Sequence, residues 1–271
     1  MSSIGDDNNI KLPENGQTKN SNYYISIIVI LGILTVVLTV VTVYILVYPD
    51  PGTVYNKFTF EHATFMHKSL KRTLRILKHG KIKYSLYGGS LLAWRRTINN
   101  GPFVWDDDLD LVVPKTDWCQ LVDLLEKQAD DFGLEFQHVF FGLQLRAKDR
   151  CGDDVLKNWV LDIFVLEWVN QKARKVDIGG LPDHWKAIRY SPALTTQRIF
   201  PERPRLEDFW GLQASVPADD EAVDIFLQDH YGPSCLTHAR LYNHNGLNTY
   251  QDINLANCPG LNIGMPVPAK K

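Results

Sequence analysis

The sequence predicts an α/β domain of the α+β mixed-sheet kind, set behind a single N-terminal transmembrane helix. Three observations predict it: an uncharged apolar run from Tyr23 to Tyr48, a strand, glycine turn and helix in succession over 82–96, and an acidic strand that alternates with apolar residues over 106–113. A chain of 271 residues holds one substantial domain with accessories, since domains usually run about 100 to 200 residues. Hydrophobic content of 45% with 22% charged residues is that of a folded chain, not a disordered one. A formal charge of -2 supplies no basic field, so nucleic acid is excluded as the main partner and a small or glycan-like one is expected.

Residues 1–22 are polar and rich in Asn, Ser, Asp and Gly, and are expected to form a flexible tail. Residues 23–48 carry no charge and are mostly Ile, Val and Leu. As a helix they would reach ~39 Å, enough to cross a hydrocarbon core of ~30 Å with some tilt. A cleaved signal peptide fits less well, because its apolar stretch is shorter and ends in small residues, whereas the first alanine here is Ala63. Thr35, Thr39 and Thr42 share one helix face, where their hydroxyls bond upstream carbonyls or meet a second helix. Asp50-Pro51-Gly52 ends this helix, residues 49–58 form a linker, and the folded domain is expected over 59–271. The lysines on either side of the span nearly balance, so charge does not fix its orientation. Cys119, Cys151, Cys235 and Cys258 all follow the span and are compatible with two disulfides or four free thiols. With two nearby histidines, Cys235 and Cys258 make only a loose zinc pattern without a C-x-x-C pair.

From Phe60 to Leu77, Phe65, Leu70, Leu74 and Leu77 recur at helical spacing among Lys and Arg, which predicts an amphipathic helix packed on a core. Ile82 to Tyr87 reads as a strand. Gly88-Gly89-Ser90 then makes a tight turn into a helix through Arg96, and such a turn points backbone N–H groups and the positive dipole end at an anion. In an extended chain Asp106, Asp108 and Asp110 would share one face, with Leu109, Leu111 and Val113 on the other. A row of carboxylates beside an apolar face is unfavourable unless a cation neutralises it. Mg²⁺ is the natural candidate, because it takes a few carboxylate oxygens together with substrate phosphates. A solvated acidic loop is the alternative. Asp162 interrupts the apolar strand 159–166, either paired with Arg146 or Lys148 or completing the metal cluster. Asp219 to Glu221 open a helix that runs to Tyr231.

Gly89-Ser90-Leu91-Leu92, Arg96 and Trp105-Asp106-Asp107-Asp108-Leu109-Asp110 together resemble the signature of the LicD/fukutin family. Leu161-Asp162-Ile163-Phe164, Pro217 and Tyr231-Gly232 extend the resemblance over roughly 60–235, while Ala93 and Thr97 depart from it where glycine and histidine are common. The resemblance implies a nucleotidyltransferase-like fold and transfer of a phosphorylated alcohol, of the ribitol phosphate or phosphocholine type, from a CDP-activated donor to a glycan hydroxyl. It implies that Asp108, Asp110 and Asp162 are catalytic and hold Mg²⁺ (or Mn²⁺). It also implies that Gly88, Gly89, Ser90, Arg96 and Asp106 bind substrate, with Arg96 on a solvated face as the alternative. With the apolar run 23–48 it implies a signal-anchored, single-pass type II enzyme of the Golgi or ER, acting in glycosylation. Two other expectations stand beside it: a catalytically silent membrane-anchored scaffold subunit, and nucleotide addition to a small molecule or RNA.

Overall fold

The computed structural model describes residues 27–39, 60–148, 159–241, 251–254 and 264–268. The chain divides into two units, residues 1–54 and 55–271.

In the first unit the described residues form one helix, α1 (27–39), whose Ile, Leu and Val side chains are exposed from Ile28 onward. The Thr35 and Thr39 hydroxyls each donate to the carbonyl four residues upstream at 2.8 Å, Leu31 and Thr35 respectively. At ~1.5 Å per residue the described part of α1 covers about 20 Å, short of a ~30 Å hydrocarbon core. Among the described residues no helix is long and apolar enough to cross a membrane. The transmembrane helix expected at 23–48 is corrected accordingly. The membrane as a partner, the signal-anchor and the type II Golgi or ER placement are corrected with it, because all of them rested on that span. The physical reason is that hydropathy and absence of charge set how apolar a run is, whereas crossing needs about 20 apolar residues in one helix, and the described helix supplies residues 27–39. Positions 23–26 and 40–48 of the expected span lie outside the described residues, as do the expected tail 1–22 and linker 49–58.

The second unit opens with α2 (Phe60–His79), a twenty-residue helix that buries Phe65, Met66, Leu70, Leu74, Ile76 and Leu77, the stripe that its periodicity predicts. Then follow β1 (Ser85–Leu86), α3 (Gly88–Arg96), β2 (Leu109–Pro114), α4 (Lys115–Gln128), β3 (Leu134–Val139), β4 (Gly142–Ala147), β5 (Leu161–Val169) and β6 (Lys172–Lys175). Two short helices, α5 (Asp183–Lys186) and α6 (Thr196–Ile199), precede the hairpin β7 (Arg205–Phe209) and β8 (Leu212–Val216). The described chain closes with α7 (Asp220–Tyr231) and the pair β9 (His238–Leu241) and β10 (Gln251–Asn254).

Six strands form one mixed sheet in the order β1, β2, β5, β4, β3, with β6 paired to the far half of β5. Only β2 and β5 run parallel, in the register Leu109↔Leu161 to Pro114↔Leu166. Their connection passes through α4 and the β3–β4 hairpin, as a parallel pair requires a long crossover. Residues 161–166 are buried without alternation, because β5 is an inner strand between β2 and β4 or β6, with α2 and α4 packed on it. The α/β mixed-sheet class expected from the sequence is the class observed. Asp219 caps α7 by accepting the Ala222 N–H at 2.7 Å, which places the acid run 219–221 at a helix start.

Candidate active site

The parallel pairing of β2 with β5 makes Asp110 the direct neighbour of Asp162. Paired residues on adjacent strands project from the same face, so two carboxyl groups far apart in sequence are forced together. Asp108 arrives from the loop before β2. One oxygen from each of Asp108, Asp110 and Asp162 lies within 4.8 Å of the others, and Asp106, Asp107 and Asp108 form a second such group that shares Asp108. The strand begins only at Leu109, where pairing with Leu161 begins, so Asp106 and Asp108 do not alternate along a strand as expected. They stand in the loop that leads into β2, where Asp106 is nonetheless buried against Gly89.

Gly88-Gly89-Ser90, expected as a turn ahead of the helix, form the first turn of α3 itself, and they hold this group in place. Tyr87 N–H donates to the Asp110 carbonyl at 3.1 Å, Gly89 N–H to Asp110 Oδ2 at 2.8 Å, and Asp110 N–H to Ser90 Oγ at 2.9 Å. Gly88 has φ +50°, and a Cβ there would overlap the Asp110 carboxyl group. A Cβ on Gly89 would sit 2.8 Å from Asp106 Oδ2. Both glycines are therefore required by the close approach of carboxyl groups to backbone. The Gly89 N–H, expected from the sequence to face a phosphate, is donated to Asp110.

Burial, followed by the neighbouring charge of Asp108, raises the pKa of Asp110 well above the usual carboxylate range, against the pull of Gly89 N–H and Lys175. Burial followed by Asp108 and Asp110 does the same to Asp106. Asp162 is pushed up to about 8, mainly by burial and then by Asp108, although Gln144 Nε2 donates to its Oδ1 at 3.1 Å. Without a cation, burial and mutual repulsion push all three groups toward their protonated forms. The donor set consists of carboxylate oxygens on a cramped, glycine-lined floor, which is the chemistry of a hard divalent cation site. The ion pairs considered for Asp162 go elsewhere: Arg146 pairs with Glu135 at 2.8 Å and Lys148 with Asp130 at 2.9 Å.

Arg96 is partly buried, and its Nη1 donates to the carbonyls of Cys235 and His238, each at 3.2 Å. Its guanidinium lies 4.3 Å above the Phe103 ring, which stacks on Trp105 at 4.9 Å. Burial lowers its pKa to about 10. Arg96 thus clamps the segment after α7 to the start of the acidic loop. Of the loose zinc pattern, only Cys235 and His238 are described, and His244 and Cys258 are not. Cys119 and Cys235 are free thiols, and Cys151 and Cys258 lie outside the described residues.

Lys175 was not legible as a site residue. Its Nζ is enclosed by the rings of Trp185 at 4.4 Å, Phe164 at 4.8 Å and Tyr87 at 5.3 Å. Burial brings its pKa down to about 8 even though Asp110 favours its charge. Beside it, Tyr87 and Tyr190 share a 2.6 Å hydroxyl hydrogen bond, and burial and Lys175 hold His230 neutral with a pKa of about 3. Burial, then Asp110 and Asp106, raise the pKa of Tyr231, which keeps its phenol protonated beside the acids. A lysine in the β6 pattern Lys172 to Lys175 gave no signal, since only the pairing of β6 with β5 turns it inward.

No curated protein sequence matches the chain. Residues 81–219, over half of the 271, match the family described as LicD/FKTN/FKRP, nucleotidyltransferase domain. That stretch contains the glycine turn, Arg96, Asp106 to Asp110, Asp162 and Lys175, and it ends before Tyr231. On the strength of this match over a mixed sheet with clustered carboxylates, the chain belongs to the LicD/FKTN/FKRP nucleotidyltransferase family.

Proposed function

We propose that the chain is a divalent-metal-dependent transferase that moves a phosphorylated alcohol, of the ribitol phosphate or phosphocholine type, from a CDP-activated donor to a glycan hydroxyl. The observation that carries this proposal is the convergence of Asp108, Asp110 and Asp162 within 4.8 Å beside the glycine turn. These three residues would hold Mg²⁺ or Mn²⁺, which when bound offsets the charge of the donor's diphosphate and of the departing nucleotide. The acceptor hydroxyl oxygen bonds to the phosphorus that carries the alcohol, the bond from that phosphorus to the CMP oxygen breaks, and the hydroxyl proton passes to Asp162. With a cation bound, the Asp162 carboxyl group would be held ionised, against the burial that favours its protonated form, and so left able to take that proton. Gly88, Gly89 and Ser90 would position Asp110 and the donor phosphate, and Asp106 would orient substrate from the loop before β2. Arg96 would shape the binding site through the segment it clamps. Lys175 adds a buried positive charge next to Asp110.

The test is CMP release from CDP-ribitol and CDP-choline in the presence of a glycan acceptor. Release should require Mg²⁺ or Mn²⁺, stop with EDTA, and fall by at least about 100-fold in Asp108→Asn and Asp110→Asn. Near wild-type release by either folded variant would refute the assignment. A catalytically silent scaffold is distinguished by calorimetry, because it should show no metal-dependent heat with cytidine nucleotides.

A further inference from the structure

A second concavity lies away from the carboxylates. It is a groove of about 570 Å³ between the last two turns of α2, the segment 81–84 and the β7–β8 hairpin with its approach from Phe200. No residue of the acidic cluster or of the glycine turn lines it. In the β1–β2 ladder Ser85 pairs with Val112 and Leu86 with Leu111, so residues 81–84 continue toward the end of β2 opposite Asp110. The Lys83 N–H accordingly reaches Asp117, beyond that end, at 2.9 Å. The groove and the carboxylate site are separated by the length of a strand.

Its lining has two chemistries. Leu74, Leu77, Ile82 and Phe200 form a buried apolar floor, Leu212 is half-buried on the wall, and Leu206 is left 51% exposed there. Tyr84 Oη accepts the Ser215 N–H at 3.3 Å and so fixes the hairpin wall to the sheet. Around this floor stand five exposed cations, Lys71, Arg75, Lys78, Lys81 and Lys83, against one acid, Glu202. Among the described residues none of the four lysines has an ion-pair partner. A net positive rim over an apolar cleft is unusual in a chain whose formal charge is -2.

We propose that this groove binds a single-chain amphiphile with an anionic head, the alkyl chain against Leu206, Leu212 and Tyr84 above the buried floor and the phosphate or carboxylate head among the lysines of the rim. Charge complementarity and an apolar floor identify the class. The volume falls in the ~300–1,000 Å³ range of small-molecule sites rather than in that of a long peptide groove. The inference does not rest on the proposed transfer reaction, because the two sites share no residue.

The experiment is calorimetric titration of the full chain with dodecyl phosphate below its micelle concentration, beside inorganic phosphate and neutral dodecyl maltoside. Dodecyl phosphate should bind saturably at one equivalent, at least about 10-fold more tightly than either companion. Lys78→Glu/Lys81→Glu and, separately, Leu206→Asp should each weaken it at least about 10-fold. All three positions are exposed, so both variants should melt as the wild type does. Lys127→Glu, on the exposed face of α4, should leave binding unchanged. Lack of saturable binding, equal affinity for dodecyl maltoside or inorganic phosphate, or equal loss in Lys127→Glu would overturn the proposal. Binding that survives both groove variants would overturn it too, and would place the alkyl chain on another surface such as the exposed α1.

Discussion

Replacing Asp162 by Asn should stabilise the metal-free protein while removing its response to metal. Asp162 is 7% exposed, its carboxyl group is held at about 8 against an ordinary 3.8, and among the described residues its one hydrogen-bond donor is the neutral Gln144. A folded-state pKa above the unfolded one means that the folded protein binds the proton more tightly. The linked cost to folding is absent below pH 3.8, grows as pH rises toward 8, and is complete above it. At ~1.4 kcal/mol per pH unit this cost approaches about 4 kcal/mol at pH 7, and relaxation with water entry reduces it to about 2 kcal/mol. Asparagine keeps the shape and still accepts from Gln144 Nε2, but carries no charge. For a folded unit of this size 1 kcal/mol moves Tm by about 2–4 °C. In EDTA at pH 8, Asp162→Asn should therefore melt about 5 °C above the wild type, and the gap should close by pH 4. Mg²⁺ should raise the wild-type Tm at pH 8 and have little effect on the variant. Thermal unfolding at pH 4, 6 and 8, with EDTA or with Mg²⁺, measures all of this. If the variant is no more stable than wild type in EDTA at pH 8, or if Mg²⁺ stabilises both equally, Asp162 is not a buried, charge-crowded ligand.

Gly88→Ala should lower Mn²⁺ affinity by about 10- to 100-fold in calorimetry, because its φ of +50° strains alanine and the new Cβ meets the Asp110 carboxyl group. Unchanged affinity would show that the turn does not set Asp110. Lys175→Met should raise Tm by a few degrees at pH 7 and lower CMP release at least about 10-fold. The pKa of Lys175 falls from 10.5 to about 8 on folding, so its burial cost is full below pH 8 and gone by pH 10.5. The stability gain should vanish over the same interval, and a gain that persists at pH 10.5 would refute the cause. Arg95→Ala removes the bonds of Arg95 to Asp224 at 2.8 and 3.2 Å, which tie α3 to α7. Both side chains are 31% exposed, so chemical denaturation should show a loss of only about 0.5–1 kcal/mol.

Local pattern made several elements legible. The Leu70, Leu74 and Leu77 spacing marks α2, and Asp219 with its acidic neighbours marks the start of α7. Gly88-Gly89-Ser90 marks the entry to α3, although these residues are its first turn and the strand before them is only Ser85–Leu86, and the acid run beside Trp105 marks a candidate cation site. The apolar run 23–48 was legible as apolar and misleading as a membrane span, since among the described residues its helix covers only 27–39. The placement of Arg96 and Lys175 was not legible. One clamps carbonyls from about 140 positions away, and the other is enclosed by three rings drawn from separate elements.

By itself the sequence determined the mixed α/β class, the glycine turn, the acidic run and the family signature. All of these are properties of residues near one another in the chain, where side-chain period and turn chemistry act. Tertiary structure alone decided that Asp162 stands beside Asp110, that the Gly89 N–H is donated to a carboxylate, and that a basic-rimmed cleft opens at the other end of β2. Strand register and partner choice set those distances. They arise when distant segments bury their apolar faces together, which no local spacing encodes.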